Sequence, residues 1–258
     1  MPGHSDLELL EASVREAGNI ARAFFGTDYK RWSKSGGSPV TEADLAVDKF
    51  LCERLTAARP DYGWLSEESA DNHARLDKAR VFVVDPIDGT IAFLKGRPHF
   101  TICAAVVEQG RAIAGAVYNP MSDELYAACA GGGATRNREP IRASDRPELK
   151  DSAMLGDRSI LSCPPWPTLH VQTRNSVALR VALVADASAD ATVSLSAKRD
   201  WDLAAADVIL REAGGCMTDL TGAALVYNRP DAVQPGLIAA GPALHAEILA
   251  LIRNHATK

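Results

Sequence analysis

Four consecutive apolar residues, Val81-Phe82-Val83-Val84, run directly into Asp85-Pro86-Ile87-Asp88-Gly89-Thr90, and this junction constrains the chain more than any other stretch. The β-branched run reads as a buried strand. Such a strand must deliver two carboxylates, three residues apart, at its carboxyl end. Pro86 sets its own φ and biases Asp85 toward extended backbone. Gly89 allows a tight turn or a close ligand approach, and Thr90 reads as the cap of a short following helix. Two carboxylates held this close repel each other, and a hard divalent cation relieves the repulsion.

The rest of the chain is long enough to support such a corner. With 258 residues, 47% of them hydrophobic, it can bury a large core as one domain or two joined halves. A net charge of −5 and no basic stripe exclude a general binder of nucleic-acid polymers. Five scattered cysteines (Cys52, Cys103, Cys129, Cys163, Cys216) without a C-x-x-C pair fit reduced thiols better than a disulfide framework or a zinc site. No basic and apolar leader opens the chain, and no apolar run reaches the roughly 18 residues that cross a bilayer. A soluble, cytoplasmic protein with no membrane partner is therefore expected.

Read in order, Ser5 to Phe25 is a helix with a Ser5/Glu8 capping box and a stop at Gly26. Lys34-Ser35-Gly36-Gly37-Ser38-Pro39 reads as a polar loop, either a surface linker or a segment that closes on a ligand. Thr41-Glu42-Ala43-Asp44 opens a second helix that buries Val47, Leu51, Leu55 and Ala58. On spacing alone Asp44 is a capping-box carboxylate. Gly63-Trp64-Leu65-Ser66 is a short apolar stretch ending in Glu67-Glu68. From Thr101 a β-meander follows, with strands at 101–107, 112–118 and 124–129 and a turn at Asn137-Arg138-Glu139-Pro140. Gly131-Gly132-Gly133 lacks the Gly-Lys-Ser/Thr of a phosphate loop and reads as a tight turn. The polar composition around 143–152 places a boundary between an N-terminal α+β half, 1–145, and a C-terminal α/β half, 146–258. In the second half, helices are expected at 176–187, 202–213 and 242–253, strands at 190–195 and 236–240, and a hairpin at 216–219 and 223–227. Asp202 stands at the start of its helix, where a carboxylate suits the dipole.

Each acidic residue has a capping or solvated-end explanation, but Glu67, Asp85, Asp88 and Asp202 all fall at the ends of apolar elements. No histidine or cysteine accompanies them at ligand spacing, and oxygen donors alone select Mg²⁺, Mn²⁺ or Ca²⁺ over zinc. Two such ions activate a water and stabilise a leaving oxygen, which is what phosphoryl transfer requires. The Gly89 and Thr90 N–H groups, at a helix start, offer an anion seat.

Asp85-Pro86-Ile87-Asp88-Gly89-Thr90, with Glu67-Glu68 upstream and Trp201-Asp202-Leu203-Ala204-Ala205 downstream, resembles the inositol monophosphatase family, which includes the 3′(2′),5′-bisphosphate nucleotidases. The likeness also takes in the Thr41–Asp44 helix start, the turn near Gly132 and Glu212-Ala213-Gly214-Gly215. It implies a layered αβαβα sandwich of the sugar-phosphatase type, a homodimer, and lithium-sensitive, Mg²⁺-dependent phosphatase activity with two or three ions per site. By position, Glu67, Asp85 and the Ile87 carbonyl would hold one metal, and Asp85, Asp88 and Asp202 a second. A third would rest on Glu67 near the 34–38 loop. Thr90, paired with Asp44, would act with Glu67 on the attacking water. Asp88, Gly89, Thr90 and Asp202 would meet the substrate.

Two departures bear on the ester. Ser66 stands where the family usually has glycine, and Ser194-Leu195-Ser196 lacks the carboxylate with which inositol phosphatases grip a ring hydroxyl. Ile91-Ala92-Phe93-Leu94-Lys95-Gly96 also resembles the nucleotidase version. The expected substrate is a small soluble phosphate ester, with 3′-phosphoadenosine 5′-phosphate placed ahead of inositol 1-phosphate. Rival readings are another sugar or polyol phosphatase and a catalytically silent relative that binds only metal and phosphate.

Overall fold

Alternation along the central strands sets the layering. The structure, a computed structural model, describes residues 2–33 and 39–256; residues 34–38 of the expected polar loop, with the third-metal position beside it, lie outside the described residues. The chain begins α1 (Pro2–Phe24), β1 (Arg31–Ser33), β2 (Pro39–Thr41), α2 (Glu42–Ala58), β3 (Gly63–Ser66), β4 (Arg80–Asp88) and α3 (Thr90–Leu94). A meander follows: β5 (Thr101–Glu108), β6 (Arg111–Asn119), β7 (Glu124–Cys129), β8 (Ala134–Arg136) and β9 (Glu139–Pro140). Next come β10 (Ala153–Leu155), α4 (Arg158–Leu161), β11 (His170–Gln172), α5 (Val177–Ala185), β12 (Ala191–Ser194) and β13 (Lys198–Arg199). The chain ends with α6 (Asp200–Glu212), β14 (Cys216–Thr218), β15 (Val233–Gln234), β16 (Leu237–Ala240) and α7 (Pro242–Ala256).

Strands β3 to β9 form one seven-stranded sheet in sequence order. Only β3 and β4 are parallel in it; the remaining pairs are antiparallel. The second sheet has the order β11-β10-β12-β16-β14, parallel on the β10 side and antiparallel around β16. Successive side chains point to opposite faces of a strand. Phe82, Val84, Ile102, Ala104 and Val106 accordingly join α1 and α2 in one core. Val81, Val83, Cys103, Ala105 and Val107 join α5 and α6 in another, which also takes in Leu155, Leu237 and Ala239 of the second sheet. The opposite face of that sheet, through Met154, Val193, Ile238 and Ala240, packs on Leu244 and Ile248 of α7. The layers are therefore αβαβα. Helices α5 and α6 pack directly on the seven-stranded sheet.

Small residues let the helices approach the sheet closely. Ala104, Ala105, Ala112, Ala114, Ala116, Ala127 and Ala128 are all buried on β5 to β7, and Gly115 lies against Ala205 and Val208 of α6. Close approach holds the start of α6, and Asp202 with it, near the end of β4.

Several local expectations change. Helix α1 begins at Pro2, so Ser5 lies within it rather than at its N-cap position; its hydroxyl accepts from Arg59 Nη2 at 3.2 Å. Ala58 ends α2 exposed rather than in the core. The strand expected at 81–84 continues through Asp88. Gly89, not Thr90, holds the cap position of α3. The hairpin at 216–227 reduces to β14 and a single bridge, Thr218 to Ala224. There Asp219 Oδ1 accepts the N–H groups of Thr221 and Ala223, and Tyr227 N donates instead to Gly110 O.

Candidate active site

Parallel pairing of β3 with β4 places Ser66 opposite Val84, and Glu67 N donates to Val84 O at 3.3 Å. Glu67 therefore emerges beside Asp85. The β4–β5 ladder shifts register between Asp85 and Asp88, an irregularity that re-aims side chains at a strand end. Within it, Asp85 Oδ1 accepts Ile87 N at 3.1 Å. Asp88 Oδ2 accepts Ser176 Oγ at 2.6 Å and Ala178 N at 2.7 Å, so the carboxylate is fixed by the first turn of α5. Asp202, the third residue of α6 rather than its first, accepts Arg199 N at 2.8 Å. Asp85, Asp88 and Asp202 each offer an oxygen, and these lie within 4.8 Å of one another.

Asp44 and Thr90 stand at the edge of this cluster. Thr41 caps α2, and Asp44 Oδ2 accepts its N–H at 2.8 Å and its hydroxyl at 2.5 Å. The capping box is real, and it leaves Asp44 Oδ1 facing Thr90 Oγ1 at 3.5 Å. Thr90 Oγ1 is also 3.2 Å from the Ile87 carbonyl. Gly89 makes the turn with φ +96; a Cβ there would lie 3.0 Å from His99 O and 3.1 Å from Ser176 N, so side chains are excluded twice over.

Burial and mutual repulsion push these carboxyls up. Burial raises Asp85 well above the usual carboxylate range, and Glu67, Asp88 and Asp202 add to it. Asp202 rises to about 7 through burial and then the nearby Asp88. Burial raises Asp88 as well, opposed by the Ser176 hydroxyl and the Ala178 and Val177 N–H groups. Asp44 reaches about 6 from burial, against the lowering by its Thr41 bonds. A cluster of oxygen donors that resists becoming fully anionic fits a hard divalent cation. Thiolate coordination does not fit: Cys103 lies beneath the cluster, but burial raises its thiol well above its usual value.

The structure thus brings together Asp85, Asp88 and Asp202, with Glu67 and the Ile87 carbonyl alongside and the Thr90–Asp44 pair adjoining. Sequence reasoning passed over the residues that hold these in place. Ser66 donates to Asp48 Oδ1 at 2.5 Å and Ser69 to Asp48 Oδ2 at 2.8 Å, which ties the Glu67 loop to α2. Ser176 caps α5 through Leu179 N at 2.9 Å while gripping Asp88, and Thr101 Oγ1 lies 3.0 Å from its hydroxyl. The Ser-x-x-Leu helix start hinted at Ser176; the link from Ser66 to Asp48 crosses 18 residues and has no local signature.

Fold and site together define a layered α/β protein whose buried carboxylates form a cluster able to hold a hard metal ion. The sequence profile described as the inositol monophosphatase family matches residues 4–257. An inositol-1-monophosphatase of Mesorhizobium japonicum is 33% identical over 229 residues, covering 83% of this chain and 85% of that protein. The Nus factor SuhB of Escherichia coli K12 is 31% identical over 234 residues, covering 85% and 86%. Among solved structures, the extragenic suppressor protein SuhB of Bartonella henselae superposes with a TM-score of 0.84 at 28% identity, covering 96% and 98%. A Thermotoga maritima IMPase gives 0.84 at 27%, covering 97% of each chain. The chain belongs to the inositol monophosphatase family and is a phosphoric monoester hydrolase acting on small phosphate esters.

Proposed function

We propose that the protein is a Mg²⁺-dependent phosphomonoesterase that transfers the phosphoryl group of its ester to water, with a 3′(2′),5′-bisphosphate nucleotide ahead of inositol 1-phosphate as substrate. The observation that carries the reading is the convergence of Asp85, Asp88 and Asp202 oxygens within 4.8 Å, from strand β4 and helix α6, which are more than a hundred residues apart. Glu67, Asp85 and the Ile87 carbonyl would hold one ion, and Asp85, Asp88 and Asp202 another. When bound, Mg²⁺ neutralises charge on the phosphoryl group and acidifies water.

The chain's own part is positioning and proton handling. Thr90 Oγ1 would accept the proton of the attacking water while its own hydroxyl proton passes to Asp44 Oδ1, with Glu67 on the water's other side. Asp44 is poised for this because burial holds its carboxyl at about 6, close to the working range of a general base. The Gly89 and Thr90 N–H groups, at the start of α3, would meet the ester oxygens. The missing carboxylate at Ser194-Leu195-Ser196 supports the nucleotide over inositol, because a hydroxyl-gripping site discriminates by its polar partners.

Lithium inhibition, a homodimer and a cytoplasmic setting go with this reading. None of the five cysteines forms a disulfide, which suits a reducing compartment, and among the described residues no helix is long and apolar enough to cross a membrane. Phosphate release from a panel of nucleotide, inositol and sugar phosphates, with Mg²⁺ or EDTA, tests the proposal. Release confined to Mg²⁺ and strongest for the bisphosphate is expected; a protein that binds Mg²⁺ yet hydrolyses none of the panel overturns it. Added LiCl and sedimentation measure the remaining two points.

A further inference from the structure

Arg180 sits on α5 one turn beyond Ser176, the residue that grips Asp88. The residue is only 8% exposed, its Nε finds no hydrogen-bond partner, and among the described residues it makes no ion pair. A guanidinium stays charged and carries five donors, so a buried, unpaired one is costly unless an anion completes it.

The neighbouring carboxylates do not do so. Arg180 feels Asp88, Asp202 and Asp157 at a distance, but each is engaged elsewhere. Asp88 is held by Ser176 and Ala178, Asp202 by Arg199 N, and Asp157 caps α4 through Ser159 N and Oγ. Arg180 instead lines a cavity of about 160 Å³ with Asp157, Leu161, Ser194, Leu195 and Ser196. Lys198 lies within reach of both Arg180 and the acidic cluster, and its Nζ donates to Ser196 Oγ at 2.8 Å. Once cations neutralise Asp88 and Asp202, the field at this cavity is that of Arg180 and Lys198 against the single carboxylate of Asp157, a net positive charge, with the Ser194 and Ser196 hydroxyls as added donors. Along α5, Arg180 stands four residues, about 6 Å of helix rise, beyond Ser176, which grips Asp88; that rise is the scale of a single sugar ring.

We propose that the Arg180 cavity seats a second phosphoryl group of the substrate and makes the protein selective for bisphosphorylated esters. The proposal rests on the phosphatase reading above, and it identifies Arg180 as a specificity-determining residue outside the metal cluster. Arginine suits the task because its planar fork pairs two donors with two phosphoryl oxygens.

The test is calorimetric titration of the full-length, Mg²⁺-loaded protein with two non-hydrolysable methylene phosphonates, analogues of adenosine 3′,5′-bisphosphate and adenosine 3′-monophosphate. The wild type is expected to bind the doubly charged analogue at least about tenfold more tightly. Arg180→Met should remove that preference and leave the affinity for the monophosphate analogue within about twofold. Ser196→Asp, a change at an exposed position lining the same cavity, should remove it too, and it decides the matter if Arg180→Met does not fold. Equal affinities in the wild type, a full preference in Ser196→Asp, or a loss shared by both analogues in Arg180→Met would overturn the proposal. The last result would make Arg180 a counter-ion of the acidic cluster. Release of phosphate from adenosine 3′-monophosphate, measured on the same samples, judges the phosphatase reading separately.

Discussion

Gly115 offers a way to move one metal-site carboxylate from beneath the helix that carries it. A Cβ at this position would lie 2.6 Å from Ala205 O, 2.7 Å from Val208 Cγ1 and 2.8 Å from Ala205 Cα. Two of those three atoms are backbone, so no rotamer change makes room. Restoring an ordinary contact of about 3.5 Å requires α6 to lift from the sheet by roughly 0.9 Å. Asp202 lies one turn before Ala205 on the same helix and moves with it. Ligand distances in a metal site tolerate only about 0.2 Å, so the Asp202 contribution is lost. Overpacking of this kind costs about 1–3 kcal/mol, or roughly 4–8 °C in Tm for a 2 kcal/mol loss in a chain of this size. Gly115→Ala should therefore lower Tm and raise the Mg²⁺ concentration for half-maximal phosphate release by about tenfold or more. Gly18→Ala is the control: its Cβ meets the Tyr118 ring and Pro120, so it destabilises α1 without touching α6. A Gly115→Ala protein with wild-type Tm and Mg²⁺ dependence refutes the reasoning, as does an equal Mg²⁺ effect in Gly18→Ala.

Asp88→Asn keeps an oxygen for Ser176 and Ala178 but removes the charge, so Mg²⁺-dependent turnover should fall at least about a hundredfold while circular dichroism stays unchanged; retained turnover counts against the metal assignment. Asp48→Ala leaves the buried Ser66 hydroxyl without its acceptor, at about 1–3 kcal/mol, and frees the Glu67 loop; melting and Mg²⁺ titration should both shift, and an unmoved Mg²⁺ requirement would show that Asp48 is purely structural. Asp44, at about 6, and Asp202, at about 7, lie above the ordinary value of 3.8. In EDTA their stabilising contribution is therefore full below pH about 4 and is lost as pH rises through about 6 and 7. Cations take over that neutralising role, so the gain in Tm from Mg²⁺ over EDTA should grow between pH 5 and pH 8; a gain that stays flat across this range contradicts the electrostatic account.

Much of this protein was legible one segment at a time. The Val81–Thr90 junction, the Thr41/Asp44 helix start, the β-meander and the αβαβα layering follow from periodicity, capping and motif resemblance, because those signals act over a few residues. Where the reading slipped, at Ser5 and at the hairpin after Thr218, a competing local hydrogen bond or a longer helix took over. Sequence order also named Glu67, Asp85, Asp88 and Asp202 as candidates.

Only the tertiary structure decided how those groups stand to one another. Small residues under α6 bring Asp202 to the end of β4, and the β3–β4 register sets Glu67 beside Asp85. The same packing ties Ser66 to Asp48 and leaves Arg180 buried without a partner. Distances between groups remote in the chain arise from packing across layers, and no local pattern encodes them.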